Sequence, residues 1–214
     1  MQVKRRKSSI VILSIGVILL LISCGYLLYK YVSYQELTTY EINLINDYIK
    51  QEEKQEEIKE EPKVEEIKPK EQINYNMIIE IPKIKLKKGL CKVGESCNKV
   101  SRNIQVIKES DMPDVKNGNL ILASHNGNSS VSFFNKLNKL NTNDTIYIYY
   151  KNIKYEYKLD SLYEIEKNGK AIIHRDGSKT TLLLITCKRH SKDKQLVYVA
   201  YLNKTTKYWY ITFY

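Results

Sequence analysis

The longest run of apolar residues lies near the start of the chain, where residues 10–29 read IVILSIGVILLLISCGYLLY without one charge. A helix rising about 1.5 Å per residue over that length matches the roughly 30 Å hydrocarbon core of a bilayer, so the run predicts a transmembrane helix. Lys4, Arg5, Arg6 and Lys7 precede it directly. By the positive-inside rule they hold residues 1–9 in the cytoplasm and send the rest of the chain across, a single-pass type II arrangement with the remaining parts extracytoplasmic. No A-x-A-like site for signal cleavage closes the run. Leu21-Ile22-Ser23-Cys24 has the form of a lipobox, but the apolar Gly25-Tyr26-Leu27-Leu28 that follows argues against its use. Either route leaves the chain tethered outside.

Beyond the apolar run the pattern changes twice. Leu37, Ile42, Ile45 and Ile49 recur at mostly helical spacing among polar residues, which predicts a weakly amphipathic juxtamembrane helix. Residues 51–72 are almost all charged and carry Pro62 and Pro69. They hold too little apolar surface to offset chain ordering, and residues 30–72 together are expected to form a helical and charged stalk and linker.

From about Ile73 the apolar period shortens to two. Met77-Ile78-Ile79-Glu80-Ile81, then Ile84, Leu86 and Leu90, read as short strands broken by Pro82. Further strand-like runs cover residues 119–123, 145–150, 153–159, 180–187 and 196–202, with Lys151-Asn152 as a tight turn between two of them. Helical pieces are expected only near residues 97–103 and 132–140, where Phe133, Leu137 and Leu140 share a face. Residues 73–214 are therefore expected to be one mainly β domain, a barrel or a sandwich. The tail Tyr208-Trp209-Tyr210 is expected to pack against it.

Charge refines this picture. The net charge is +11, and residues 73–214 hold 24 Lys and Arg against 12 Asp and Glu, while residues 1–72 are nearly balanced. A basic extracytoplasmic domain is drawn to an anionic membrane or wall polymer. The basic residues are scattered rather than gathered with aromatics in one element, which disfavours a nucleic-acid partner.

Four cysteines are too few for a disulfide scaffold. Cys24 lies in the apolar run; Cys91 and Cys97 flank Gly94 and could form a local disulfide or stay as two free thiols; Cys187 is left over. These residues and the three histidines lack zinc-ligand spacing, so no metal is expected.

Cys187 ends the apolar strand Thr181-Leu182-Leu183-Leu184-Ile185-Thr186 and precedes the polar run Lys188-Arg189-His190-Ser191-Lys192-Asp193-Lys194. A thiol reacts as the thiolate, which cationic neighbours favour, and a strand end places it at the rim of the core. The competing reading is a buried structural cysteine. The strand Leu120-Ile121-Leu122-Ala123 likewise opens at Ser124-His125-Asn126-Gly127, placing an imidazole at a loop mouth. His125 alone could be an ordinary loop histidine; two strand-end signatures together point to a Cys–His pair. His190, three residues past Cys187, and His174 are weaker choices for the base.

Here the sequence resembles the sortase family in a class B/D-like form. The likeness is carried by IIEIPKIKLKKGL, ASHNGNS, SFFNKLNKL, the strand pair NDTIYIYYKNIKYEYKL, and TTLLLITC followed by a polar loop and LVYVAYL. Leu184-Ile185-Thr186-Cys187 comes close to the family's TLxTC signature. The resemblance implies an eight-stranded β-barrel with short helices behind a membrane anchor, with His125 and Cys187 as catalytic residues and no cofactor. It implies acyl transfer from the C-terminal sorting signal of a surface protein, through a thioester, to an amine of a wall-peptide precursor or a pilin. The family's Arg after the Cys loop aligns with Gln195, or with Lys194 after a one-residue slip. Arg189 is the guanidinium nearest Cys187 along the chain and is expected to stand in for it. A papain-like or caspase-like protease fits the chain order and the β content poorly. A non-catalytic membrane-tethered binding module is the alternative outside enzymology.

Overall fold

In the C-terminal part of the chain the apolar alternation closes on itself. The computed structural model describes residues 16–32, 35, 39, 41–48, 75–169 and 171–207. It divides the chain into two compact units, Met1–Asn43 and Leu44–Tyr214.

In the first unit, residues 16–32 are helical and their large side chains are exposed, Leu20 and Leu21 among them. Among the described residues no helix is long and apolar enough to cross a membrane. Residues 10–15 of the expected span, the basic start, the charged spacer at 51–72 and the Tyr208-Trp209-Tyr210 tail all lie outside the described residues.

The second unit contains eight strands: β1 (Tyr75–Ile81), β2 (Leu86–Cys91), β3 (Gln105–Val106), β4 (Asn119–Ala123), β5 (Thr145–Tyr150), β6 (Ile153–Glu166), β7 (Thr181–Cys187) and β8 (Lys194–Lys207). They form one sheet in the order β2-β1-β5-β6-β8-β7-β4-β3. Its two edge strands come together, so the sheet is a nearly closed barrel. Every pairing is antiparallel except β4 with β7.

The seam is bridged by asparagine side chains. Asn103 donates from Nδ2 to the Gly89 carbonyl at 2.9 Å, and Asn98 meets Val106 at both ends, donating to its carbonyl at 2.9 Å and accepting from its N–H at 2.7 Å. Asn98 thus acts as a substitute strand neighbour on an otherwise open edge. The same bonds explain why residues 97–103 are a run of turns rather than the expected helix: Asn side chains that satisfy backbone groups compete with helical bonds. In residues 132–140 only Leu137–Lys139 is helical, a 3-10 turn, and Phe134 rather than Phe133 is fully buried.

Local chemistry sets the other connections. Pro82 ends β1 and starts a second 3-10 turn, Pro82–Ile84, closed by Lys85 at φ 54° donating to the Pro82 carbonyl. Lys151 and Asn152 have φ 47° and 56°, the two positive values of the type I′ turn that suits the twist of a two-residue hairpin.

The barrel interior is filled by alternate residues of the strands, among them Met77, Ile79, Ile148, Tyr157, Leu182 and Leu184. Two further clusters lie on outer faces. One joins Ile45 and Tyr48, within the helix at 41–48, to Tyr75, Ile78 and Cys91. Tyr48 also donates to the Asn76 carbonyl at 3.1 Å. Cys91 and Cys97 form a disulfide in this cluster, with Cα atoms 6.0 Å apart. Tyr75 crosses Gly89 so closely that a Cβ there would stand 2.1 Å from its ring, so only glycine fits. The other outer cluster, Ile121, Ile165, Leu183, Ile185, Val197 and Val199, lies beneath the site.

Candidate active site

Because β4 and β7 are parallel and paired from Asn119↔Thr181 to Ala123↔Ile185, both strands open at the same end of the barrel. The register persists past the last pair: Ser124 N–H donates to the Ile185 carbonyl at 3.2 Å, and Thr186 Oγ1 donates to the Ser124 carbonyl at 2.7 Å. His125 therefore leaves β4 at the level where Cys187 ends β7. Asn126, the next residue, ties this loop to the end of β7, donating from Nδ2 to the Cys187 carbonyl at 3.0 Å. The His125 carbonyl accepts from the N–H of the buried Phe134 at 3.2 Å, which anchors the loop from behind.

Alternation decides which way the thiol points. Leu182 and Leu184 face the barrel interior, whereas Leu183 and Ile185 belong to the outer cluster, so Cys187 emerges outward as the next member of that row. It is half-buried and its thiol is free. His125 is exposed.

The row continues across the sheet. Cys187 pairs with Gln195 on β8, and Gln195 pairs with Ile165 on β6. One step deeper lie Ala123, Ile185, Val197 and Tyr163, all of them members or neighbours of the outer apolar cluster. Ile173, from the β6–β7 connection, packs on the same floor.

Two loops frame the row. Between β7 and β8, Lys188 N–H donates to the Lys194 carbonyl at 3.0 Å, and His190 takes φ 61° at the exposed tip. Arg189 reaches across to the His125 loop, donating from Nη2 to Asn128 Oδ1 at 3.0 Å. Lys188 and Lys194 are both committed to Glu164, the latter at 3.7 Å. The Lys188 hydrogen bond, aided by the charges of both lysines, holds the Glu164 carboxyl below its usual range against an opposing desolvation effect. Between β6 and β7, Arg175 donates to the Asn117 and Lys179 carbonyls at 3.1 and 3.2 Å, while the Tyr163 and Tyr201 hydroxyls accept the His174 and Asp176 N–H groups, each at 2.9 Å. His174 stands edge-on to Tyr163 with ring centres 5.1 Å apart, in a cavity of about 280 Å3 that Glu164, Glu166 and Lys194 also line.

His125 and Cys187 are thus brought to one end of two neighbouring strands, with Arg189 bridging their loops. His190 and His174 go elsewhere, to a loop tip and to the β6–β7 connection. Among the described residues, the one cluster of potential metal ligands is Cys91, Glu95 and Cys97, and both of its sulfurs are taken up in the disulfide.

A sortase domain model matches residues 79–203, well over half of the chain and all of the site just described. The chain belongs to the sortase family. Its members are cysteine transpeptidases, and the solved structures similar to this sortase are sortases of several classes. Sortase A of Listeria monocytogenes is 23% identical with a TM-score of 0.53, the match covering 64% of this chain and 92% of that one. A Clostridium perfringens sortase D5 transpeptidase is 19% identical with a TM-score of 0.55, covering 78% and 98%. Sortase E1 of Streptomyces coelicolor, solved with a tripeptide in its active site, is 20% identical with a TM-score of 0.52, covering 61% and 89%. Identities this low carry the fold and no single class. No curated protein matches the sequence.

Sequence reasoning missed Asn126 as a site residue. Asn126 and Cys187 are 61 positions apart, and nothing local to either reports their hydrogen bond. Gln195 was reachable only as the residue aligned where the family has Arg, and the cross-strand register is what sets it beside the thiol.

Proposed function

We propose that this sortase works outside the cell, anchored by residues 10–29, and transfers the acyl part of a surface protein's C-terminal sorting signal to an amine. The observation that carries this reading is the parallel β4–β7 register, which delivers an exposed imidazole and a free, outward thiol to the same barrel end. The Cys187 thiolate attacks a peptide carbonyl, and a tetrahedral oxyanion forms. The His125 imidazolium gives its proton to the departing amine, leaving a thioester on Sγ and a neutral imidazole. An incoming amine from a wall-peptide precursor or a pilin lysine then attacks the thioester, His125 takes its proton, and the thiolate leaves. Arg189 holds the His125 and Cys187 loops together and brings a positive charge to the developing oxyanion. No redox or organic group is needed for these steps.

Anchoring suits this chemistry. Enzyme, membrane-held substrate and wall precursor meet on one surface, which raises their effective concentration. The exposed apolar side chains along residues 16–32 favour a lipid environment over water.

The test uses the full chain in detergent micelles with a library of sorting-type pentapeptides and an amine. Mass spectrometry is expected to find a peptide thioester on Cys187 that the amine resolves and that Cys187→Ala lacks. A folded chain with a free thiol that forms no adduct with any peptide would instead favour a non-catalytic binding module.

A further inference from the structure

The catalytic row contains a polar side chain that the reading above leaves idle. Gln195 is the cross-strand partner of Cys187. Lys188 N–H bonds to the Lys194 carbonyl, which makes Lys188 and Lys194 a hydrogen-bonded pair of the antiparallel ladder. The next pair inward, Cys187 and Gln195, is therefore the non-hydrogen-bonded kind, in which Cα atoms stand about 4.5 Å apart and side chains are closest. Both side chains leave the same face, because Val197 and Val199 of β8 share the outer cluster with Leu183 and Ile185 of β7. Gln195 is half-buried over that apolar floor.

The polar groups around it are already engaged. Lys188 and Lys194 hold Glu164, an Arg189 N–H holds Asn128, and the Asn126 amide N–H holds the Cys187 carbonyl. Among the described residues the Gln195 amide has no side-chain hydrogen bond. When the thiolate attacks a carbonyl, the oxygen that gains charge lies about 3 Å from the sulfur, and preorganised N–H donors aimed there act most strongly where water is excluded. A glutamine on the adjacent strand, with two N–H donors and nothing else to bind, has the reach and the chemistry.

We propose that Gln195 is a catalytic residue of this sortase, its side-chain amide donating to the substrate carbonyl oxygen and to the oxyanion that forms during attack by Cys187. The donor is neutral, so its effect needs no ionisation and persists in high salt. Arg189, tied to Asn128, supplies charge and loop geometry.

This proposal rests on Cys187 as nucleophile, and the experiment separates the two. In the full chain, kcat for acyl transfer from a sorting-type pentapeptide substrate to an amine is compared with the rate of Cys187 alkylation by iodoacetamide, a displacement at carbon that builds no oxyanion. Gln195→Ala is expected to lower kcat about a hundredfold with KM little changed. Its alkylation rate should stay within about twofold of wild type, and Gln195→Arg, which restores N–H donors, should recover part of the loss. A Gln195→Ala chain that transfers as fast as wild type overturns the proposal alone. So does one that loses alkylation and transfer together, because the glutamine then acts on the thiol or the fold. A wild-type chain that forms no thioester overturns the nucleophile assignment and this proposal with it.

Discussion

The β5–β6 hairpin and the β4–β7–β8 strip belong to one sheet, yet they meet their surroundings in opposite ways. On β5, Ile146, Ile148 and Tyr150 are buried while Thr145, Tyr147 and Tyr149 are half-exposed. The outward residues form a polar mesh: Lys154 lies 4.8 Å from the centre of the Tyr147 ring, and Tyr149 donates to Glu80 at 2.7 Å. On β7 every residue from Thr181 to Ile185 is buried, because Leu182 and Leu184 fill the barrel while Leu183 and Ile185 lie under the outer floor. The site sits at the end of the strip whose two faces are both apolar. Packing on both faces holds β7 up to the residue before the thiol, where the half-buried Cys187 emerges.

The largest effect expected from this contrast is on stability. Leu183→Ala and Leu184→Ala should each cost about 2–5 kcal/mol although they face opposite sides, as should Ile148→Ala on β5. Tyr147→Ala, on the outward face of β5, should cost under about 1 kcal/mol. Urea unfolding of the four variants measures this, and a cheap Leu183→Ala would mean that the outer floor is not a true second core.

Asn126→Ala sharpens the comparison at the point where the strip becomes a site. It removes the bond to the Cys187 carbonyl, and it also removes a buried Oδ1 that has no partner, so stability should change by less than about 1 kcal/mol. Acyl transfer should fall about tenfold, the equivalent of one lost positioning bond. Equal transfer by variant and wild type would show that β4 and β7 need no side-chain tie.

A smaller effect is expected inside the hairpin. Tyr157 on β6 is fully buried, its hydroxyl has no partner, and burial pushes its ionisation far above the usual tyrosine range. Tyr157→Phe should leave stability unchanged or raise it by about 1 kcal/mol in the same unfolding assay. A loss of that size would reveal a hydrogen bond to the hydroxyl.

The smallest effect concerns the frame of the site. The Glu164 carboxyl is held below its usual 4.5 by Lys188 and Lys194. Because the folded value is depressed, the stabilisation is present above pH 4.5 and fades as pH falls through the folded value. Glu164 is exposed, so the effect is modest and screened by salt. Wild type should exceed Glu164→Gln in unfolding midpoint at neutral pH, and the two should converge on the acid side. A gap independent of pH would assign the difference to packing.

Much of the barrel was legible along the chain. The period-two runs marked β4 and β5 to the residue, and Lys151-Asn152 marked the turn, because these features depend on neighbours two to four positions away. The helix expected at residues 97–103 failed because Asn98 and Asn103 bond to Val106 and Gly89, partners that local propensity does not see. Ile45 read as part of a stalk, and its burial against Tyr75 and Ile78 depends on a surface assembled from β1 and β2.

The sequence by itself determined the strand periods, the apolar segment at residues 10–29, the two strand-end signatures at His125 and Cys187, and the family they mark. Tertiary structure decided which residues share the row with the thiol. Parallel pairing of β4 with β7 brought His125 to the same barrel end as Cys187 and Asn126 into contact with it, and antiparallel pairing with β8 set Gln195 on its other side. Register between strands sixty residues apart is chosen by burying two apolar faces at once. A one-residue slip would turn every side chain of β7 to the wrong face, so the fold as a whole, and no local stretch of it, places the chemistry.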